Sequence, residues 1–166
     1  MIITQSGEET QKFGEEFAVA LTDRVIALYG ELGSGKTTFV QGMAKGLGIK
    51  QRIISPTFVI VRQYKISPPR SPFGHLGGGE ATTSTPARCN AFYHVDLYRI
   101  ESKNELKGLG LEEIISDPQN IVVIEWAEKI KDLLPKNRID IYFEYINEHK
   151  RRITRFAARR AIKKSN

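Results

Sequence analysis

Cysteine is almost absent from this chain. Cys89 stands alone, so neither an internal disulfide nor a thiolate metal cluster can form. No spacing of His, Cys, Asp and Glu suggests a zinc site. There is no Gly-x-Ser-x-Gly run, which excludes the strained nucleophile turn of the α/β hydrolases. No apolar run approaches the roughly 20 residues of a membrane span. Met1-Ile2-Ile3-Thr4-Gln5 lacks the basic start and apolar stretch of a signal peptide. These absences lead to the expectation of a cytoplasmic, soluble protein with no membrane partner.

Acid is missing from the most basic stretch of the chain. Lys150, Arg151, Arg152, Arg155, Arg159, Arg160, Lys163 and Lys164 crowd residues 150–166 with no Asp or Glu among them, in a chain of net charge +6. Without that block the chain is close to neutral. A positive segment of this kind suits nucleic acid or an acidic partner, and equally suits a solvated tail. A second stretch, residues 66–90, lacks the apolar residues that would fold it. It holds Pro68, Pro69, Pro72 and Pro86 with the Gly77-Gly78-Gly79 run. Such composition buries too little apolar area to offset its ordering entropy. With 166 residues, 40% of them hydrophobic, the expectation is one domain over 1–166. Residues 66–90 are then an insertion and a basic tail starts at 157.

What is present is sharper. Gly30-Glu31-Leu32-Gly33-Ser34-Gly35-Lys36-Thr37 fits G-x-x-x-x-G-K-[ST]. The glycines let backbone N–H groups turn inward around phosphate oxygens. Lys36 can reach the β- and γ-phosphates, and the Thr37 hydroxyl can ligate Mg2+. The flanks agree: Val25–Tyr29 reads as a buried strand, and Thr37–Leu47 as a helix whose positive end faces the anion.

The remaining pattern alternates. Ser6–Leu21 reads as an amphipathic helix, with Ser6 and Glu9 at capping-box spacing. Phe58–Val61, Ala91–Val95 and Ile121–Ile124 read as strands. Lys103–Leu106 and Leu111–Ser116 read as short helices, and Trp126–Leu134 as a helix stopped by Pro135. Arg138–Ile146 and Arg151–Phe156 read as a terminal hairpin. The fold class expected is α/β, three-layer and P-loop NTPase-like. It has a mostly parallel central sheet, helices on both faces and an antiparallel C-terminal hairpin.

A phosphate loop needs a carboxylate on a neighbouring strand end, either for the metal or for the attacking water. Asp96 and Glu125 both end apolar strands. Glu125 follows an unbroken β-branched run, so it is favoured as the metal-side acid. Thr57 reads equally as a γ-phosphate sensor and as a strand-start residue. His94 reads equally as a strand surface residue and as a catalytic base. Neither Asn-Lys-x-Asp nor Asp-x-x-Gly occurs, so guanine is disfavoured and adenine follows by elimination.

The ordered series from Gly30 to Phe39, Ser55-Pro56-Thr57-Phe58, His94-Val95-Asp96-Leu97-Tyr98-Arg99 and Glu125-Trp126 resembles the TsaE (YjeE) family. These are small bacterial ATPases of tRNA threonylcarbamoyladenosine synthesis. The resemblance runs from about Thr10 to Arg152. It implies ATP and Mg2+ as cofactors and slow ATP hydrolysis. It also implies TsaB and TsaD as partners, with tRNA reached through their complex and the basic tail as a candidate contact. Residue by residue, it implies Thr37 and Glu125 as metal ligands and Lys36 as a catalytic cation. Leu32, Gly33, Ser34, Gly35, Lys36, Thr37 and Thr38 become the phosphate cradle. Thr10 and Arg152 become nucleotide contacts, Thr57 and Asp96 switch-like positions, and Trp126 the tryptophan beside the metal-side acid. Departures are mild in the loop (Glu31 and Ser34 for the family's usual Asp and Ala), and Ala127 replaces a common proline. The 66–90 insertion departs further. Two alternatives are a P-loop small-molecule kinase and a tRNA-binding module. The kinase needs arginines on a lid over the phosphates, and residues 66–90 carry only Arg70 and Arg88.

Overall fold

A computed structural model describes residues 1–56, 59–66 and 89–157. The core of the 66–90 stretch, Thr57, and the tail beyond 157 lie outside these residues. Val25–Tyr29 is buried at every position and forms β2, as a strand sandwiched between two layers must. It is preceded by β1 (Ile2–Thr4) and α1 (Gly7–Val19), and followed by α2 (Lys36–Gly46). Then come β3 (Val61–Lys65), β4 (Ala91–Asp96), α3 (Leu111–Ser116), β5 (Asn120–Glu125), β6 (Ile139–Tyr145) and β7 (Arg151–Ala157). Single 3-10 turns occupy Lys103–Leu106 and Ala127–Ile130.

All seven strands form one sheet in the order β1-β7-β6-β2-β5-β4-β3. The four central strands, β6, β2, β5 and β4, run parallel. The edge pairs are antiparallel, including the β6–β7 hairpin. Alternation along β2 splits the core. Ile26 and Leu28 pack with Phe17, Phe39 and Met43 of α1 and α2 on one face. Val25 and Ala27 pack with Leu111, Ile115 and Ile130 on the other. This is the expected three-layer α/β architecture. Among the described residues, no helix is long and apolar enough to cross a membrane.

The two helices over the first face cross at backbone contact. A Cβ on Gly42 would overlap the Gln11 carbonyl, and one on Gly14 the Phe39 carbonyl. Gly42→Ala is therefore expected to force α1 off α2 and cost about 2–3 kcal/mol. Thermal unfolding followed by circular dichroism checks it, with a fall in Tm of several degrees expected.

Two sequence expectations shift and one strand is added. The apolar run ending at Val61 is not the strand. Val59 and Ile60 both donate their N–H to the Pro56 carbonyl, and Ile60 takes a left-handed φ of 63°. The strand begins where that turn ends, and Tyr64 opposite Phe92 sets its register. The segment after Glu125 is a single 3-10 turn and not a longer helix. Trp126 itself is left-handed (φ 60°), and Lys129 is tied to the carbonyls of Tyr98 and Ile100 at 2.6 and 2.7 Å. Finally, Ile2–Thr4 is a strand, too short to show a pattern of its own and formed by pairing with β7.

Candidate functional site

The carboxyl ends of β2, β4 and β5 meet at one edge of the sheet, where Glu125 lies opposite both Leu28 and Asp96. The loop after β2 curls over that edge. Gly35, with φ 98°, turns the chain into α2, a conformation glycine adopts without strain. No side chain caps α2 there, so its unpaired first-turn N–H groups stand at the wall of a cavity of 410 Å3. Residues 32–38 form that wall. Ser6, Gly7, Thr10, Ser55, Asp96, Tyr98, Glu125 and Trp126 continue it, and the β6–β7 turn adds Glu148, His149 and Arg151.

Lys36 is nearly fully buried, at 4% exposure. Its Nζ donates to the carbonyls of Gly30 (2.6 Å) and Glu31 (2.9 Å) and sits 4.2 Å from the centre of the Trp126 ring. Burial pushes this ammonium below the ordinary lysine value, while Glu125, Glu128, Asp96 and Glu31 pull it back. An ammonium stripped of water at the foot of a cavity favours an anion as its neighbour.

Thr37 Oγ1 donates to the Glu125 carboxylate, 2.9 Å from Oε1 and 3.0 Å from Oε2. Glu125 is buried and also receives His94 Nε2 at 2.8 Å. A hydroxyl beside a carboxylate, next to the loop of residues 32–38, is the hard-oxygen set that Mg2+ takes with phosphate oxygens and water. The residues therefore fit that ion. Asp96 accepts from Ser55 Oγ at 2.5 Å and from the Tyr98 N–H at 3.0 Å. It thus holds the start of the Ser-Pro-Thr segment. Thr10 lines the cavity, its hydroxyl turned toward the Ser6 carbonyl (3.0 Å) and Thr4 Oγ1 (2.8 Å).

Arg152 is not at the cavity. It points to the opposite face of β7 and pairs with Glu144 at 2.7 Å. The adjacent Arg151 lines the cavity in its place. Its guanidinium lies 4.7 Å from the Tyr145 ring centre and donates to the Asn147 carbonyl at 2.6 Å. Alternation along a strand makes one residue of register decisive, and the pairing Thr4↔Arg151 fixes which arginine faces α1. Sequence reasoning also missed Ser6, Gly7, Ser55, Glu148 and His149 as wall residues. Ser6 carried a capping signal, whereas Glu148 and His149 read only as a hairpin turn.

The profile of the family described as "Threonylcarbamoyl adenosine biosynthesis protein TsaE" matches residues 4–153. The chain belongs to the TsaE family. That match spans every residue lining the cavity. A TsaE protein of Rickettsia bellii is 37% identical over 151 residues, 90% of this chain and 89% of the relative. One from Bacillus subtilis is 35% identical, over 91% and 81%. One from Treponema pallidum is 30% identical, over 92% and 96%. Each is called a tRNA threonylcarbamoyladenosine biosynthesis protein. The crystal structure of Bacillus subtilis YdiB superposes with a TM-score of 0.65 at 28% identity, covering 95% of this chain and 84% of YdiB.

Proposed function

We propose that this TsaE family member binds Mg2+ and ATP, hydrolyses ATP slowly, and serves tRNA threonylcarbamoylation as an accessory to TsaB and TsaD. The observation that carries the reading is the Thr37–Glu125 pair beside the desolvated Lys36, at the wall formed by residues 32–38. In this reading Lys36 leaves the loop carbonyls for the β- and γ-phosphates, and the α2 N-terminus holds the remaining phosphate charge. Thr37 and Glu125 hold the ion, which when bound neutralises charge developing on the phosphate oxygens. Asp96 tethers the Ser-Pro-Thr segment through Ser55. A carboxylate so engaged supports slow turnover in the isolated chain, with partners completing the site. The basic tail supplies a contact to tRNA in the complex.

Reconstitution tests the reading. Threonylcarbamoylation of tRNA by TsaB and TsaD should continue past the first turnover only when this chain and ATP are present. Modification unaffected by the chain would refute the accessory role. Transfer of phosphate to a nucleoside or shikimate-like acceptor would favour the kinase alternative.

The register of β7 gives a sharper expectation. Arg151→Ala should weaken ATP binding about tenfold, the worth of one charge-assisted contact. Arg152→Ala should leave it unchanged, because the exposed Arg152–Glu144 pair stands away from the cavity. Fluorescence of Trp126, the single tryptophan and itself a wall residue, reads both titrations.

A further inference from the structure

Phe92, His94, Ile121, Val123 and Glu125 share the sheet face that α2 covers. His94 is fully buried and does not line the cavity. Its Nε2 stands 2.8 Å from Glu125 Oε1. A carboxylate only accepts, so Nε2 carries the proton and donates. The ring's other nitrogen, Nδ1, is buried and has no partner among the described residues.

That combination argues against a packing role. An apolar side chain would fill the same space without burying an unsatisfied nitrogen. The contact His94 makes is with the carboxylate that also receives Thr37. Thr37 Oγ1 lies at nearly equal distance from both carboxylate oxygens, so it leaves the choice between them open. The ring breaks that symmetry, because it engages Oε1 and not Oε2.

We propose that His94 is a positioning residue: its Nε2–H fixes the rotation of the Glu125 carboxylate so that Oε2 and Thr37 Oγ1 together receive a divalent cation. The proposal rests on the Mg2+–ATP reading above. Buried partners of this kind hold a ligating group in one orientation, and their loss lowers metal affinity.

Trp126 fluorescence during a MgCl2 titration at fixed ATP tests it, with ATP binding in EDTA and a melting curve recorded for each protein. His94→Leu should raise the Mg2+ half-saturation concentration about 10- to 100-fold without weakening ATP binding in EDTA. His94→Gln should stay close to the unaltered protein, because its amide N–H reaches the place of Nε2. His94→Asn, whose amide stops short, should behave as His94→Leu. If His94→Leu does not fold, the Gln and Asn variants carry the comparison. A Mg2+ titration unchanged in His94→Leu, or a Gln variant no better than Asn, would overturn the positioning role alone. An unaltered protein with no Mg2+-dependent nucleotide signal would overturn the cofactor reading, and this proposal with it.

Discussion

Lys36→Ala is expected to lower ATP affinity about 100-fold, equivalent to about 3 kcal/mol, the worth of a charge-assisted contact from a buried cation to phosphate. The starting state supports a large effect. Lys36 is desolvated, and its partners are loop carbonyls and the face of Trp126. Exchanging those neutral partners for phosphate charge is where binding energy arises. The variant should still fold. Its side chain makes no ion pair among the described residues, and β2 and α2 are held by their apolar faces. Fluorescence titration of Trp126 with ATP gives the affinity. Calorimetry provides a second reading, since removing Lys36 also removes the cation over the indole and alters the signal. Unchanged affinity would mean that phosphate is held elsewhere.

Glu125→Ala should divide binding from turnover. Much ATP affinity should remain, because Lys36 and the α2 N-terminus still hold phosphate. Hydrolysis should fall about 100- to 1,000-fold, because the ion that neutralises developing charge loses its carboxylate ligand. Glu125→Gln is the gentler companion, since it keeps the volume and gives His94 and Thr37 an oxygen to donate to. Both are read by phosphate release under saturating ATP. Full turnover in Glu125→Ala would transfer the role to Asp96, the other carboxylate at the same edge.

Much of this site is legible along the chain because its parts are contiguous or sit at strand ends. The loop from Gly30 to Thr37 is one unbroken run, and the apolar strands before Asp96 and Glu125 announce where each acid will stand. Parallel pairing of β2, β4 and β5 then brings those ends together, as the alternating pattern implied. The parts that escape are those decided by pairing across the sheet. Arg151 and Arg152 are chemically equivalent neighbours, and only the β1–β7 register separates them. His94 leaves two readings open in the sequence, surface residue and catalytic base, and neither points to the carboxylate 31 residues later that stands 2.8 Å away in space. Trp126 and Ile60 read as helix and strand by composition, yet both adopt left-handed backbone where the chain turns. Local propensity yields there to tertiary contacts. Thr57 lies outside the described residues, and its partner Ser55 in the Ser-Pro-Thr run is the part seen to meet Asp96.

The most direct test of the central claim is ATP turnover by this protein alone and with purified TsaB and TsaD, with Lys36→Ala in parallel. The account predicts slow hydrolysis alone, a changed rate when both partners are present, and neither activity in Lys36→Ala. Turnover indifferent to the partners, or persisting without Lys36, would contradict it.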